Sequence, residues 1–473
     1  MNSSMKKLFT LLFACGTMML HAQQIFKTNN DYLQVKVNNV LQADNWIVGK
    51  DINIGAFEAE TTKENNTVTY SDGKDSISFD LKLGQQIDFL ILKNNKDTIS
   101  QQLVGVEPNA NFTQEYIAKY RNKTVVAIPE VSELVNIMMA LHPDAEEEGN
   151  MFDTSTIYYK KVKEHFAAYI NHPALDTIKK YITDINYIKE YDVNLFSRDS
   201  YNYYYALKMT ACGYRFDEYG HIINDGNIKE MGKGYYSFNP LKDVKMFEDF
   251  VRVSNFRQFY KENQSYYNNL LETYNQLNPI QKMQTWLDNK FGFSYGSYLV
   301  YFSPLVYGAH STRGFQSNGF KQTAMFIARA DYDESLSEIQ NELAESRIVF
   351  TEIDHNYVNP VSDKFLEKIN KALSNRDVWA QPNITNAYNS PYKLFNEYMT
   401  FAVYSLYLND NYKKEDIDEY LPKLNKTMAI NRGFSKFTEF NQVLLAKYKE
   451  GTAISMEALY EYMLDWCAEQ NII

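Results

Sequence analysis

The apolar pattern of this chain changes period between Phe112 and Thr113, and that change limits the folds open to it. Upstream, apolar residues alternate. In 75–83, Ile77, Phe79, Leu81 and Leu83 share one face, the period of a half-buried strand. Tyr32–Val37, 46–48 and 87–91 also read as strands, with turns at Asp72-Gly73 and Asn94-Asn95. Downstream the period is helical. Within 129–141, Val131, Leu134, Val135 and Met138 form one stripe. The expectation is an α+β chain. Residues 24–112 form a small antiparallel sandwich or meander, and 113–473 form a mainly helical part. Segments 155–190, 196–212 and 241–290 read as helical, and 213–240 as irregular. Strands return at 292–302 and 321–330. Helices follow over 365–373, from Ser390-Pro391, and over 416–425, 437–450 and 455–470.

The N-terminus reads as an export signal over residues 1–22. Lys6-Lys7 is the charged region, an apolar run follows, and Leu20-His21-Ala22 is a cleavage site that leaves Gln23 first. That run is too short to span a bilayer. The rival reading is a lipoprotein with Cys15 lipidated. Removing 1–22 takes away two lysines and no acid, which moves the net charge from −11 to −13. Such an acidic chain is a poor partner for nucleic acid or an anionic membrane. Cys212 and Cys467 then remain, either bridged or as two thiols, and no Cys-x-x-Cys offers a thiolate metal site. The 38 Tyr in 473 residues suit either a glycan- or peptide-binding cleft or a core with hydroxyls turned outward.

The chemistry concentrates on 347–360, expected as one helix that stops before Pro360. Thr351 and His355 stand at i and i+4 on one face, with Glu352 beside them. That is the spacing of H-E-x-x-H, in which two His hold zinc and Glu is general base. Here the pattern is T-E-I-D-H, and Asp354 reads as solvated or capping.

The stretch Thr351-Glu352-Ile353-Asp354-His355-Asn356-Tyr357-Val358-Asn359-Pro360 resembles the gluzincin branch of zinc metallopeptidases. It is most similar to a secreted bacterial family, known only as a domain of unknown function, that reads H-E-F-x-H-x-F-V-N-P. The resemblance implies a zincin-like fold for 113–473, with His355 and Glu397 as metal ligands and Glu352 as catalytic base. Glu397 stands 42 residues beyond His355, on a later helix. It also implies that a strand within 291–330 pairs with extended substrate. The same segments read as an ordinary hairpin. Thr351 replaces a ligand and counts against zinc as cofactor. Three arrangements stay open: Glu352 turned into a third ligand, His310 reaching in from its loop, or a buried hydrogen-bonded cluster without metal. Tyr357 and Tyr388 are candidate oxyanion donors. The functional expectation is a secreted, metallopeptidase-like protein, weakly active or non-catalytic. The alternative is a glycan- or peptide-binding protein.

Overall fold

A computed structural model describes residues 24–30, 32–41, 46–47, 56–61, 65–142, 145, 152–183, 200–232, 244–306, 310–381, 388, 390–450 and 454–470. Residues 1–22, expected to be an export signal and including Cys15, and Gln23 lie outside these residues. The chain is α+β, with an N-terminal antiparallel-rich β region followed by a mainly helical region.

The first region holds β1 (Ile25–Thr28), β2 (Tyr32–Val37), β3 (Val40–Leu41), β4 (Trp46–Ile47), β5 (Ala56–Glu60), β6 (Asn66–Ser71), β7 (Ser76–Leu81), β8 (Gln86–Lys93) and β9 (Asp97–Val106). One sheet runs β1-β8-β9-β5 and the other β3-β2-β6-β7, with β4 on β2. The two turns expected from sequence sit between β6 and β7 and between β8 and β9. Asn94 and Asn95 both take positive φ, 53° and 52°, as a tight hairpin turn requires. The sheets are not wholly antiparallel, since β1 pairs β8 and β5 pairs β9 in parallel. Alternation shows which face of a strand is buried but not the direction of its neighbour. Phe26, Leu33, Val35, Phe57, Val68, Tyr70, Phe79, Leu81, Phe89 and Leu103 fill a core of their own. The Phe79 and Phe89 rings pack 4.6 Å apart at its centre.

The helical region encloses a second mixed sheet of β10 (Thr124–Ala127), β13 (Ser297–Phe302), β14 (Ser311–Ser317) and β15 (Phe320–Ile327), in the order β10-β13-β15-β14. β11 (Tyr214–Phe216) and β12 (Ile222–Asn224) form a hairpin within the stretch expected to be irregular. The two strands expected within 291–330 are parallel neighbours and not a hairpin. The hairpin partner of β15 is β14, joined through Asn318-Gly319, both at positive φ. β14 carries Gly314 and mixed polar residues, so its alternation is weak in sequence. It forms one edge of the sheet.

The helix Pro391–Asn411 is buried on nearly all sides, and Leu394, Phe395, Tyr398, Met399, Val403, Tyr404 and Tyr407 place it at the centre of the larger core. Ser390 caps its first turn, with its hydroxyl accepting from the Lys393 amide at 3.2 Å, and Pro391 occupies the first helical position. Many tyrosines are core residues whose hydroxyls are tied inside. Tyr398 donates to the Trp379 carbonyl at 2.6 Å, and Tyr404 to that of Leu343 at 2.7 Å. Cys212 and Cys467 are free thiols. No described helix is long and apolar enough to cross a membrane.

The site helix is longer than expected at both ends, Glu338–Ser362. Ser337 caps its start and accepts from the Gln340 amide at 3.2 Å. Pro360 lies inside the last turn. Its missing N–H removes one rung, and the Asp363 amide bonds the Asn359 carbonyl beyond it, so the helix closes after the proline instead of before it. The β region touches the chain here. Gln34 Nε2 donates to the Asp363 carbonyl at 2.8 Å, and Gly73 lies against Leu366 and Glu367.

Candidate functional site

Two helices supply the site, and they are the pair named from sequence. His355 projects from Glu338–Ser362 and Glu397 from Pro391–Asn411. Their facing atoms, Nε2 and Oε2, are 3.9 Å apart. The His355 side chain is 28% exposed and that of Glu397 8%, so the carboxylate forms the floor and the imidazole a wall. On the far side of the ring, Nδ1 lies 3.4 Å from Asn359 Oδ1 and 3.4 Å from Thr400 Oγ1.

Glu352 is half-buried, and no described group hydrogen-bonds its carboxyl. Burial raises its pKa above the ordinary glutamate value. His355 and Arg432 pull it down and Glu397 pushes it up, so all four groups share one field. Thr351 is buried, and its hydroxyl donates to the Ile348 carbonyl of its own helix at 3.0 Å. The position that holds an imidazole in H-E-x-x-H therefore carries a neutral hydroxyl already bonded to backbone.

Asp354 corrects the sequence reading. It is fully buried, neither solvated nor a cap. Neither carboxyl oxygen has a hydrogen-bond partner among the described residues. Burial, with Glu397 and Glu352 nearby, raises its pKa well above the aspartate value, while the adjacent Thr400 hydroxyl works the other way. These surroundings favour its protonated form, because an isolated buried carboxylate is costly.

The residue that sequence reasoning missed is Arg432. Its Nη2 lies 2.7 Å from Glu397 Oε1 and donates to the Tyr388 hydroxyl at 2.9 Å. The guanidinium carbon stands 4.8 Å from the Phe401 ring centre and 5.4 Å from that of Phe434. A π-helical turn over Thr427–Asn431 presents it, closed by the Arg432 amide bonding the Thr427 carbonyl at 2.9 Å. Such turns recur at functional sites. No spacing rule ties an arginine here to a glutamate one helix earlier. Only the Arg432-Gly433 helix end marks it, with Gly433 at positive φ.

Of the other candidates, Tyr388 is at the site and Tyr357 is not. Tyr357 is fully buried, donates to Asp288 Oδ1 at 2.6 Å and stacks on Phe293. His310 is also elsewhere. Its Nδ1 accepts from the Ala328 amide at 3.4 Å, and burial, with Lys208 and Arg347 close by, pushes its pKa down to about 4.

The chemistry of the donor set counts against zinc. A catalytic zinc needs three protein donors, and Thr351 offers none. Glu397, the carboxylate that would take the metal, is already neutralised by Arg432. Among the described residues, no three His, Cys, Asp or Glu side chains are grouped to hold a metal ion. The third sheet meets the site helix at this level. Thr323 of β15 donates to Asn356 Oδ1 at 3.0 Å, and Gly314 of the edge strand β14 pairs with Thr323. No protein-family model, curated protein or solved structure matches this chain.

Proposed function

We propose that this chain is an exported, metallopeptidase-like protein that binds extended peptide and does not hydrolyse it. The observation that carries the reading is the Arg432 guanidinium 2.7 Å from Glu397, doing the electrostatic work a metal would do there. Two further features support peptide over glycan. β14 is an edge strand paired with β15, whose Thr323 bonds Asn356 of the site helix, and an edge offers main-chain donors and acceptors to an added strand. Its exposed Gly314 has no side chain to hold a second backbone away. Many of the tyrosines, among them Tyr398, Tyr404 and Tyr407, are in the core and not on a surface.

Calorimetric zinc titration tests the reading. The wild-type chain is expected to show no tight stoichiometric binding. Thr351→His should gain about 10–100-fold, by analogy with the cost of disturbing a metal site's supporting residues. Thr351→His with Arg432→Ala should gain more, because the competing cation is gone. Tight one-to-one zinc in the wild type would overturn the proposal. The export half of the proposal rests on residues 1–22. The exported protein is expected to begin at Gln23, and N-terminal sequencing that found a lipidated Cys15 would refute that cleavage.

A further inference from the structure

We infer that a cavity lined by Lys208, away from the His355 and Glu397 pair, is a binding site for a monatomic, monovalent anion of the chloride type. It uses none of the residues on which the metal-free reading above depends.

The cavity has a defined place in the fold. Strands β10, β13 and β15 run parallel, so their carboxyl ends lie on one side of the sheet. Phe302 and Ile327, the last residues of β13 and β15, line a cavity of about 20 Å³ at that side. Ser132 and Asn136 of the helix Glu130–Ala140 line it too, as do Lys208 of the helix Ser200–Ala211 and Cys212 just beyond it. In parallel sheets, ligands bind outside the carboxyl ends of the strands. A polar cavity of about 10–15 Å³ is enough for one water. This one therefore takes a water or a single ion and excludes sulfate, phosphate and carboxylate ligands.

Charge selects an anion. Lys208 is 5% exposed, and burial pulls its pKa from 10.5 down to about 8, so at pH 7 it is still mostly an ammonium. A cation is repelled by it, a water brings it no charge, and an anion offsets the cost of keeping it buried. The neighbours supply protons. Ser132 Oγ accepts from Asn136 Nδ2 at 3.4 Å, and Ser303 Oγ, also on the cavity wall, accepts from the Leu305 amide at 3.2 Å. Each hydroxyl thus keeps its own proton to donate. Burial pushes the Cys212 thiol up to about 12, so it adds no negative charge. Glu133, beside Ser303, is raised to about 7 and is mostly uncharged at pH 6.

The test is urea unfolding of the full mature chain at pH 6, in sodium bromide and in sodium gluconate at matched ionic strength. Bromide should stabilise saturably. At ten times its Kd it should raise the folded-to-unfolded ratio about tenfold over gluconate. The gain should vanish in Lys208→Met. Ser132→Ala keeps the ammonium and guards against misfolding of the first variant, and it should weaken bromide by about 10–100-fold. In a crystal soaked in bromide, anomalous scattering should place one peak in the cavity. Equal stability in the two salts, a gain that never saturates, or a gain that persists in Lys208→Met overturns the inference. So does unchanged bromide affinity in Ser132→Ala, or a soaked crystal with no peak in the cavity. None of these outcomes touches the peptide reading, which rests on other residues.

Discussion

Arg432→Ala is expected to lower the unfolding free energy by about 3 kcal/mol. Breaking a buried ion pair from one side costs about 3–5 kcal/mol, because the surviving charge stays buried without its partner. The lower end applies, since the Arg432 side chain is 31% exposed. Three interactions go at once: the 2.7 Å ion pair, the bond to the Tyr388 hydroxyl and the packing on Phe401 and Phe434. Glu397→Gln added to Arg432→Ala should recover a large part of the loss, because a neutral amide on the floor of the site carries no charge to compensate. Urea unfolding of wild type, both single variants and the double variant gives the coupling energy directly. If the two losses simply add, the ion pair is not what stabilises the site, and the proposed substitute for a metal loses its basis.

Glu133→Gln should abolish a pH dependence worth about 3 kcal/mol. Glu133 is fully buried, and the Tyr158 hydroxyl donates to its Oε1 at 2.7 Å. Tyr267 lies 2.6 Å behind Tyr158, so its hydroxyl donates in turn to Tyr158. Burial raises the Glu133 pKa from 4.5 to about 7, against the opposing pull of Ser303 and Tyr158. Between those values the folded state holds a proton that the unfolded chain has released, so stability falls as pH rises through this window. Below about pH 4.5 the penalty is absent, and above about pH 7 it is complete, roughly 3 kcal/mol for 2.5 pH units. Gln keeps an acceptor for Tyr158 and has no charge to bury. Other acids titrate in the same range, including Glu345, raised to about 7, and Asp363, raised to about 6. The quantity to follow is therefore the difference between wild type and variant from pH 4.5 to 7.5. Parallel profiles would show that Glu133 is not protonated in the folded protein near neutral pH.

Local pattern carried far in this chain. The period change at Thr113, the turns at Asp72-Gly73 and Asn94-Asn95, and the Ser390-Pro391 helix start depend on φ/ψ preference and on side-chain period, and a sequence shows both. The i, i+4 spacing of Thr351 and His355, and a second helix carrying Glu397, were legible for the same reason. Strand direction was not. β1 and β5 join their sheet in parallel through partners distant in sequence, and β14 was hidden by its glycine and polar residues. The end of the site helix was misjudged because a proline removes one rung, and in the last turn that leaves the helix able to close beyond it.

The sequence by itself determined an α+β chain, an acidic one, with a helix whose T-E-I-D-H face lacks one imidazole. Only the tertiary structure decided what stands in that imidazole's field. It brought Arg432 from a later π-helical turn onto Glu397, buried Asp354 inside the core, and set His355 Nε2 3.9 Å from Glu397 Oε2. The physical reason is range. Helical spacing and capping act over a few residues and are visible in order. Ion pairing and burial act through space, between groups that chain order leaves unrelated until helices pack.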